Sequence, residues 1–371
     1  MRYSEKSSEP KYTYEQIITI FGVLLLLLMC ILHALPSGNN CDFVPINGTF
    51  QNYNPIRRFL GGQVPGKDFY DYLGMGHLFV GAFATFLFGK DFQASLIAFS
   101  FLSILSLITL SFLISYVILR KGYLAVLYTN LILIMLLTQQ ENNLILLTGT
   151  EEVKGALNVA LDVGNSARFI RGGILPFSCG LLFLLYYCYQ KSIEKNEILK
   201  RFKLIVFSCG TGLVAGVAFV WSNDFGISCW FCLIIMTFVV AFTYTRKWIK
   251  SFIPAIIEFF SSLISIFIIV EVLTLGHITE WVQATFGTGG YQKWYYNSDK
   301  SYYIYNVDFS YIMLVQACSC VLYLIKLYQK RAKKEAVLRY GIPAFLNMAC
   351  FCMVNEYRLL SGGYAREVAL A

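Results

Sequence analysis

Nine stretches of this chain are apolar over the length of a bilayer, and no other feature constrains the fold as strongly. A hydrocarbon core of ~30 Å is crossed by ~20 apolar residues in an α-helix. The stretches run over about 15–36, 93–119, 123–138, 172–190, 204–221, 226–245, 251–274, 309–328 and 342–355. Lipid leaves no water for unpaired backbone N–H and C=O groups, so such segments cross as helices. The sequence therefore predicts an all-α fold. It is a polytopic integral membrane protein with about nine transmembrane helices, forming one transmembrane domain over 1–371. Composition agrees: 57% of residues are apolar and 14% charged, against about 45–50% and about 25% in soluble domains. A soluble enzyme and a disordered or fibrous chain are excluded. The first stretch is not read as a cleaved signal peptide, because Pro36 spoils the site after Ala34-Leu35.

A tenth segment, Leu73 to Gly89, is apolar but short and contains glycine. Lys and Arg collect on the cytoplasmic loops of membrane proteins, and this rule decides what the segment does. If it lies at, or re-enters, the outer surface while the other nine cross, 19 of the 30 Lys and Arg fall inside and 11 outside. If it crosses, the counts exchange. An interfacial or re-entrant helix is expected, in a multi-pass protein of the cell membrane with a cytoplasmic N-terminus. The acids are complementary: fourteen of the 22 fall outside, six inside, and Glu258 and Glu271 lie within a span. The net charge of +8 is then a topology signal whose partner is membrane lipid, and no nucleic-acid partner is expected. Sites are expected on the long irregular outer segments, chiefly 37–72, 139–171 and 275–308, because binding residues concentrate on such loops.

Ten of the eleven cysteines lie in or near apolar spans. Cys229-x-x-Cys232 has the spacing of a redox pair, but inside a membrane helix it reads as packing. Cys41 stands alone in an aqueous loop. His33, His77 and His277 show no metal-ligand spacing, so no metal site is expected from them. Gly212-x-x-x-Gly216 reads as close helix contact.

The first outer loop carries the densest pattern. Tyr53 to Leu60 suits a short amphipathic helix with Pro55 in its first turn, ended by Gly61-Gly62. Next come Gln63-Val-Pro-Gly-Lys-Asp68-Phe69, Asp71, and an apolar run closing on Phe88-Gly89. Three further patterns lie at the outer ends of spans. They are Asn165-Ser-Ala-Arg168-Phe-Ile-Arg171, Trp221-Ser-Asn-Asp224-Phe-Gly226, and Trp281 through Gln292-Lys-Trp294-Tyr295-Tyr296. Together these resemble the GT-C superfamily of multi-spanning glycosyltransferases that use lipid-phosphate sugars. Members carry a "G-G-x-x-P-x-x-D-F" stretch after a surface helix, and an acidic motif well before it. Here the region Asn47 to Gln51 has no carboxylate, and the acid before it in the loop is Asp42.

The resemblance implies a GT-C-like fold and transfer of a sugar from a polyprenyl-phosphate donor to a cell-envelope glycan or lipid acceptor. A carboxylate takes the acceptor's proton, and Asp42 or Asp68 is the expected base. Side-chain cations or a divalent cation stabilise the leaving phosphate. No other cofactor is implied. Arg57, Arg58, Arg168 and Arg171 are the expected phosphate contacts, since a guanidinium binds phosphate oxygens in pairs. Asp71, Asp162 and Asp224 complete the acidic set. Gln292, Trp294 and Tyr295 are placed against the sugar or the lipid entrance.

Each of these residues has a plainer reading. Asp68 would close the turn after Pro65-Gly66, and Asp224 would cap the next helix. Arg57 and Arg58 would touch headgroups, and the aromatic residues of 291–305 would form an interfacial belt. Two rival functions stay open: a transporter or flippase for lipid-linked saccharides, and a non-catalytic scaffold of envelope assembly. Convergence of the acids and arginines around one place favours the enzyme. Scatter over separate faces favours the rivals.

Overall fold

The computed structural model describes residues 13–39, 49–71, 73–138, 168–193, 197–222, 225–286, 307–331, 333 and 335–360. These residues are helical, without a β-strand among them. In chain order the helices are α1 (Tyr14–Ser37), α2 (Thr49–Leu60), α3 (Met75–Phe88), α4 (Phe92–Leu119) and α5 (Gly122–Thr138). The short α6 (Arg168–Gly172) precedes α7 (Ile174–Ile193), α8 (Glu197–Trp221), α9 (Phe225–Thr245) and α10 (Trp248–Leu273). Then come α11 (Ile278–Phe286), α12 (Val307–Lys330), a π turn (Val337–Gly341) and α13 (Ile342–Leu360). Each of the nine predicted stretches corresponds to a described helix. Five helices are long and apolar enough to cross a membrane: α1, α4, α9, α10 and the Leu204–Trp221 part of α8. Their apolar side chains also point outward. Phe21 of α1 is 69% exposed and Ile249 of α10 is 81% exposed, as suits a chain whose solvent at these faces is lipid.

Local signals set the helix ends. The Thr13 hydroxyl accepts the Gln16 N–H while the Gln16 side chain accepts the Thr13 N–H, a reciprocal capping box at the start of α1. Asp91 caps α4 by accepting the Ala94 N–H at 2.7 Å.

Small residues allow the closest helix contacts. In the seam between α8 and α10, a Cβ placed on Gly216 would lie 2.6 Å from Ser265 Cβ and 2.9 Å from the Ser262 carbonyl. Ser265 crosses the seam by donating to the Leu213 carbonyl at 2.6 Å, and Trp230 donates to Ser262 Oγ at 2.8 Å. On the other side, Gly22 of α1 receives Val126 and Asn130 of α5, and the Asn130 amide donates to the Gly22 carbonyl at 3.1 Å. The largest core gathers buried residues of α7, α8, α9 and α13, among them Tyr186, Cys232, Met236 and Phe345. Cys229 and Cys232 are buried and not joined in a disulfide, in agreement with a packing role.

Both ends of α3 lie at one end of the bundle. Gly74 and Gly76 at its start press on Trp221 and Ser222, where α8 finishes. Gly89 at its finish leads within three residues into α4, whose first turns meet Gly38 at the end of α1. Ile170 joins the two places. Its carbonyl accepts Trp221 Nε1–H at 3.0 Å, and its side chain packs with Phe99 of α4 and Ile56 of α2. At the opposite end, the finish of α4 meets the segment before α13, and Phe242 of α9 stacks on Tyr328 of α12. The glycine-rich helix α3 thus runs across one end of the bundle instead of through it.

One sequence expectation is corrected here. The surface helix α2 begins at Thr49, four residues before Tyr53, so Pro55 sits inside it and not in its first turn. The added turn is held from outside. Phe50 and Tyr53 lie against Phe92 with ring centroids 6.3 and 5.3 Å apart, a gain that outweighs the preference of proline for a helix start.

Candidate functional site

The loop from α2 to α3 is built by its glycines and two charged side chains. Gly62 (φ +86°) ends α2 in the left-handed region. The Gly62 N–H meets the Phe59 carbonyl at 2.9 Å, and the Gln63 N–H meets the Arg58 carbonyl at 3.0 Å, the two bonds of a Schellman cap. Arg58 then staples the turn beyond. Its Nε donates to Gln63 Oε1 at 2.5 Å, one Nη donates to the Asp68 carbonyl at 2.8 Å, and the guanidinium covers the Phe69 ring at 5.2 Å. The Asp68 carboxylate accepts the Val64 N–H at 2.7 Å through Oδ2, so it closes the turn after Pro65-Gly66. Asp68 is also exposed. Phe69 is buried with Ile56, Leu78, Ala82, Phe99 and Ile170, which seats the turn on α3 and α4.

Asp71 enters the protein instead. Its side chain is 3% exposed and that of His77 is 0% exposed. Asp71 Oδ1 accepts the Leu73 N–H at 3.0 Å, and Oδ2 lies 3.4 Å from His77 Nδ1. The His77 ring rests beside Phe99 at 5.1 Å, and its Nε2 is buried without a hydrogen-bond partner. Sequence reasoning examined His77 only for metal spacing. The pair was hidden because five residues and a backbone reversal through Gly74 (φ +118°) separate its members.

Other stretches meet this loop at the same end of the bundle. Arg171 of α6 is buried, with its guanidinium 5.6 Å from the centre of the Phe225 ring. A Cβ on Gly66 would lie 3.2 Å from Thr274 Cγ2 and 3.3 Å from the His277 carbonyl, beyond the end of α10. Trp281 of α11 is buried on Met75, Val220 and Val270 as part of the core. Close by, the Thr279 hydroxyl (2.7 Å), the residue's own N–H and His277 hold the Glu280 carboxyl below the usual carboxylate range.

Of the predicted site residues, Arg58 bonds to the Asp68 carbonyl, while Asp71, held on Leu73 and His77, and Arg171, held over Phe225, lie at the same end of the bundle. Arg57 is exposed on α2, bonded to Asn54 Oδ1 at 3.0 Å and set over Phe50 at 5.3 Å. Arg168 begins α6, three residues before Arg171; its side chain is outside the described residues. Asp42, Asp162, Asp224, Gln292, Trp294 and Tyr295 also lie outside them. Among the described residues, no three His, Cys, Asp or Glu side chains gather as a metal site would require. Comparison of the chain with protein-family models, curated proteins and solved structures finds no match.

Proposed function

We propose that this chain is a membrane glycosyltransferase that moves a sugar from a polyprenyl-phosphate donor to a glycan or lipid acceptor, working at the outer end of its bundle. One observation supports it above the others. The loop before α3, the Ile170–Arg171 turn, and Trp221, Ser222 and Phe225 are remote in sequence, yet meet at one end. On this reading nine helices cross the membrane and α3 lies on the outer surface. The N-terminus is then cytoplasmic, as the Lys and Arg distribution favours. The likeness to the GT-C superfamily rests on the motifs alone.

In the proposed reaction, the acceptor oxygen bonds to the anomeric carbon as the bond to the donor phosphate breaks. The acceptor proton passes to a carboxylate, and the phosphate leaves with the electron pair. Asp68 is the described carboxylate suited to this step: it is exposed, and the Val64 N–H fixes it through Oδ2. Asp42 is the second candidate. Arg58 and Arg171, with Arg57 and Arg168, supply the positive field for the phosphate. Asp71 and His77 are buried and act as positioning residues that fix the loop. Asp162, Asp224, Gln292, Trp294 and Tyr295 belong to the same proposed surface. The test is mass spectrometry for copurified polyprenyl phosphate, followed by a reconstituted transfer assay. Full transfer by both Asp42→Ala and Asp68→Ala would overturn the assignment of the base.

A second reading, transport of a lipid-linked saccharide, has one observation in its favour. Glu258 is 1% exposed in the middle of α10, beside Thr237 of α9, with Oε2 unpartnered. Ionisable groups at such depth commonly mark a transport path. Glu258→Gln separates the two: it abolishes transport in vesicles but leaves transfer intact.

A further inference from the structure

The end of the bundle remote from Asp71 holds a second polar construction. Arg120 ends α4 in the left-handed conformation, at φ 63°. All three of its guanidinium nitrogens are buried, and none has a hydrogen-bond partner in the protein. An unpaired guanidinium out of water is costly, and structures keep buried charges paired. The charged groups that act on it are Glu335 and Arg339, with Tyr116 and Tyr340. Glu335, Arg339 and Tyr340 also line a cavity of about 320 Å³ together with Lys333 and Ala336.

The walls of this cavity are fixed. The Tyr186 hydroxyl of α7 donates to the Lys333 carbonyl at 3.3 Å. The Ala336 N–H meets the Lys333 carbonyl at 3.0 Å, and the Arg339 N–H meets the Glu335 carbonyl at 2.8 Å. The π turn Val337–Gly341 sets Arg339 and Tyr340 just before α13, and single π turns recur at functional sites. Among the described lining residues, the cations Lys333 and Arg339 stand against the carboxylate of Glu335, with Arg120 behind them.

We infer that this cavity binds a phosphate group, with Lys333 and Arg339 of its lining meeting the oxygens and the buried Arg120 guanidinium adding positive charge behind them. A guanidinium fork matches phosphate geometry, and basic pockets between membrane helices hold lipid headgroups. The phosphate has two chemical sources, an anionic lipid headgroup or a soluble phosphate, and both present the same oxygens. The site lies at the other end of the bundle from the proposed transferase site and does not depend on it.

The experiment uses the full chain in detergent. Its melting temperature is followed against inorganic phosphate, with chloride at matched ionic strength as the control. In parallel it is measured in nanodiscs of phosphatidylglycerol and of phosphatidylcholine. A saturable rise with phosphate, or a rise in phosphatidylglycerol alone, supports the site and tells the soluble source from the lipid one. Lys333, Glu335 and Arg339 are exposed, so their variants fold. Arg339→Gln is expected to weaken binding about tenfold, the loss of one charge-assisted contact. Glu335→Gln removes the carboxylate that repels the phosphate and is expected to tighten it. The inference is overturned if neither probe exceeds its control, as when Glu335 swings in to pair with Arg120. It is equally overturned if Arg339→Gln and Glu335→Gln respond alike.

Discussion

His77 Nδ1 lies 3.4 Å from Asp71 Oδ2, with both side chains withdrawn from solvent. The contact ties the first turn of α3 to the loop before it, since Asp71 also accepts the Leu73 N–H at 3.0 Å. Asp71→Ala removes both bonds and leaves buried groups unpaired, so a loss of about 2–4 kcal/mol is expected. His77→Phe keeps the ring against Phe99 but leaves the carboxylate without its partner. A double-mutant cycle by chemical denaturation in micelles should give a coupling of about 1–2 kcal/mol. Strict additivity would show that the two side chains do not interact.

Two glycines separate backbone strain from steric overlap. Gly62 has φ +86° with open space where a Cβ would stand, whereas a Cβ on Gly74 (φ +118°) would lie 2.5 Å from Ser222 Cα. Gly62→Ala should cost about 1 kcal/mol, the penalty of the left-handed conformation. Gly74→Ala should cost about 3 kcal/mol or more, because strain and overlap combine. Equal losses in the two variants would contradict the close approach of α3 to α8.

The α8–α10 seam makes a prediction with a built-in rescue. Gly216→Ala brings its Cβ to 2.6 Å from Ser265 Cβ and should cost about 1–3 kcal/mol. Ser265→Gly alone loses the bond to the Leu213 carbonyl and should cost about 1–2 kcal/mol, for that bond and for a glycine within a helix. Combined, the pair should be more stable than the sum of the single losses implies. No recovery would mean that the helices do not meet at these residues.

Trp221 Nε1–H is the hydrogen bond that links α8 to the Ile170 carbonyl, at 3.0 Å. Trp221→Phe keeps an aromatic ring but leaves that carbonyl only the Gly173 N–H at 3.2 Å, for an expected loss of about 1 kcal/mol. Proteolysis between α5 and α6 should rise in the same variant, since the bond anchors the segment after 139–167. Unchanged cleavage would show that the bond does not hold this corner.

Arg58 and Asp68 test how far building the loop and doing the chemistry are separable. Arg58→Lys keeps the charge but loses the two-pronged hold on Gln63 and Asp68, so turnover should fall about tenfold or more through misplacement of the loop. Asp68→Asn keeps an oxygen for the Val64 N–H and removes the proposed base. If it retains the turnover of the native chain while stability is unchanged, Asp68 closes a turn and does nothing more.

The nine apolar stretches were legible because hydropathy and helix length are local properties. The predicted span 251–274 and the observed Trp248–Leu273, for example, differ by three residues at one end and one at the other. The packing role of Gly212 and Gly216 was legible for the same reason, since four residues apart on a helix means one face. Asp68 was legible as a candidate, but its bond to Val64 was not separable from a catalytic part by pattern alone. His77 was missed because its partner lies across a reversal of the chain. Arg120 read as one more basic residue in a short loop, until Glu335 and Arg339 came beside it.

By itself, then, the sequence determined the all-helical, membrane-type character of the chain, the place of its long apolar helices, and the uneven spread of its charge. Each follows from transfer energies and spacing along the chain. The tertiary structure decided that α3 lies across an end of the bundle, that Asp71 is buried on His77 while Asp68 stays exposed, and that Arg120 is enclosed. Those outcomes depend on contacts between residues tens to hundreds of positions apart. Their energies arise from packing and desolvation, which no local pattern records.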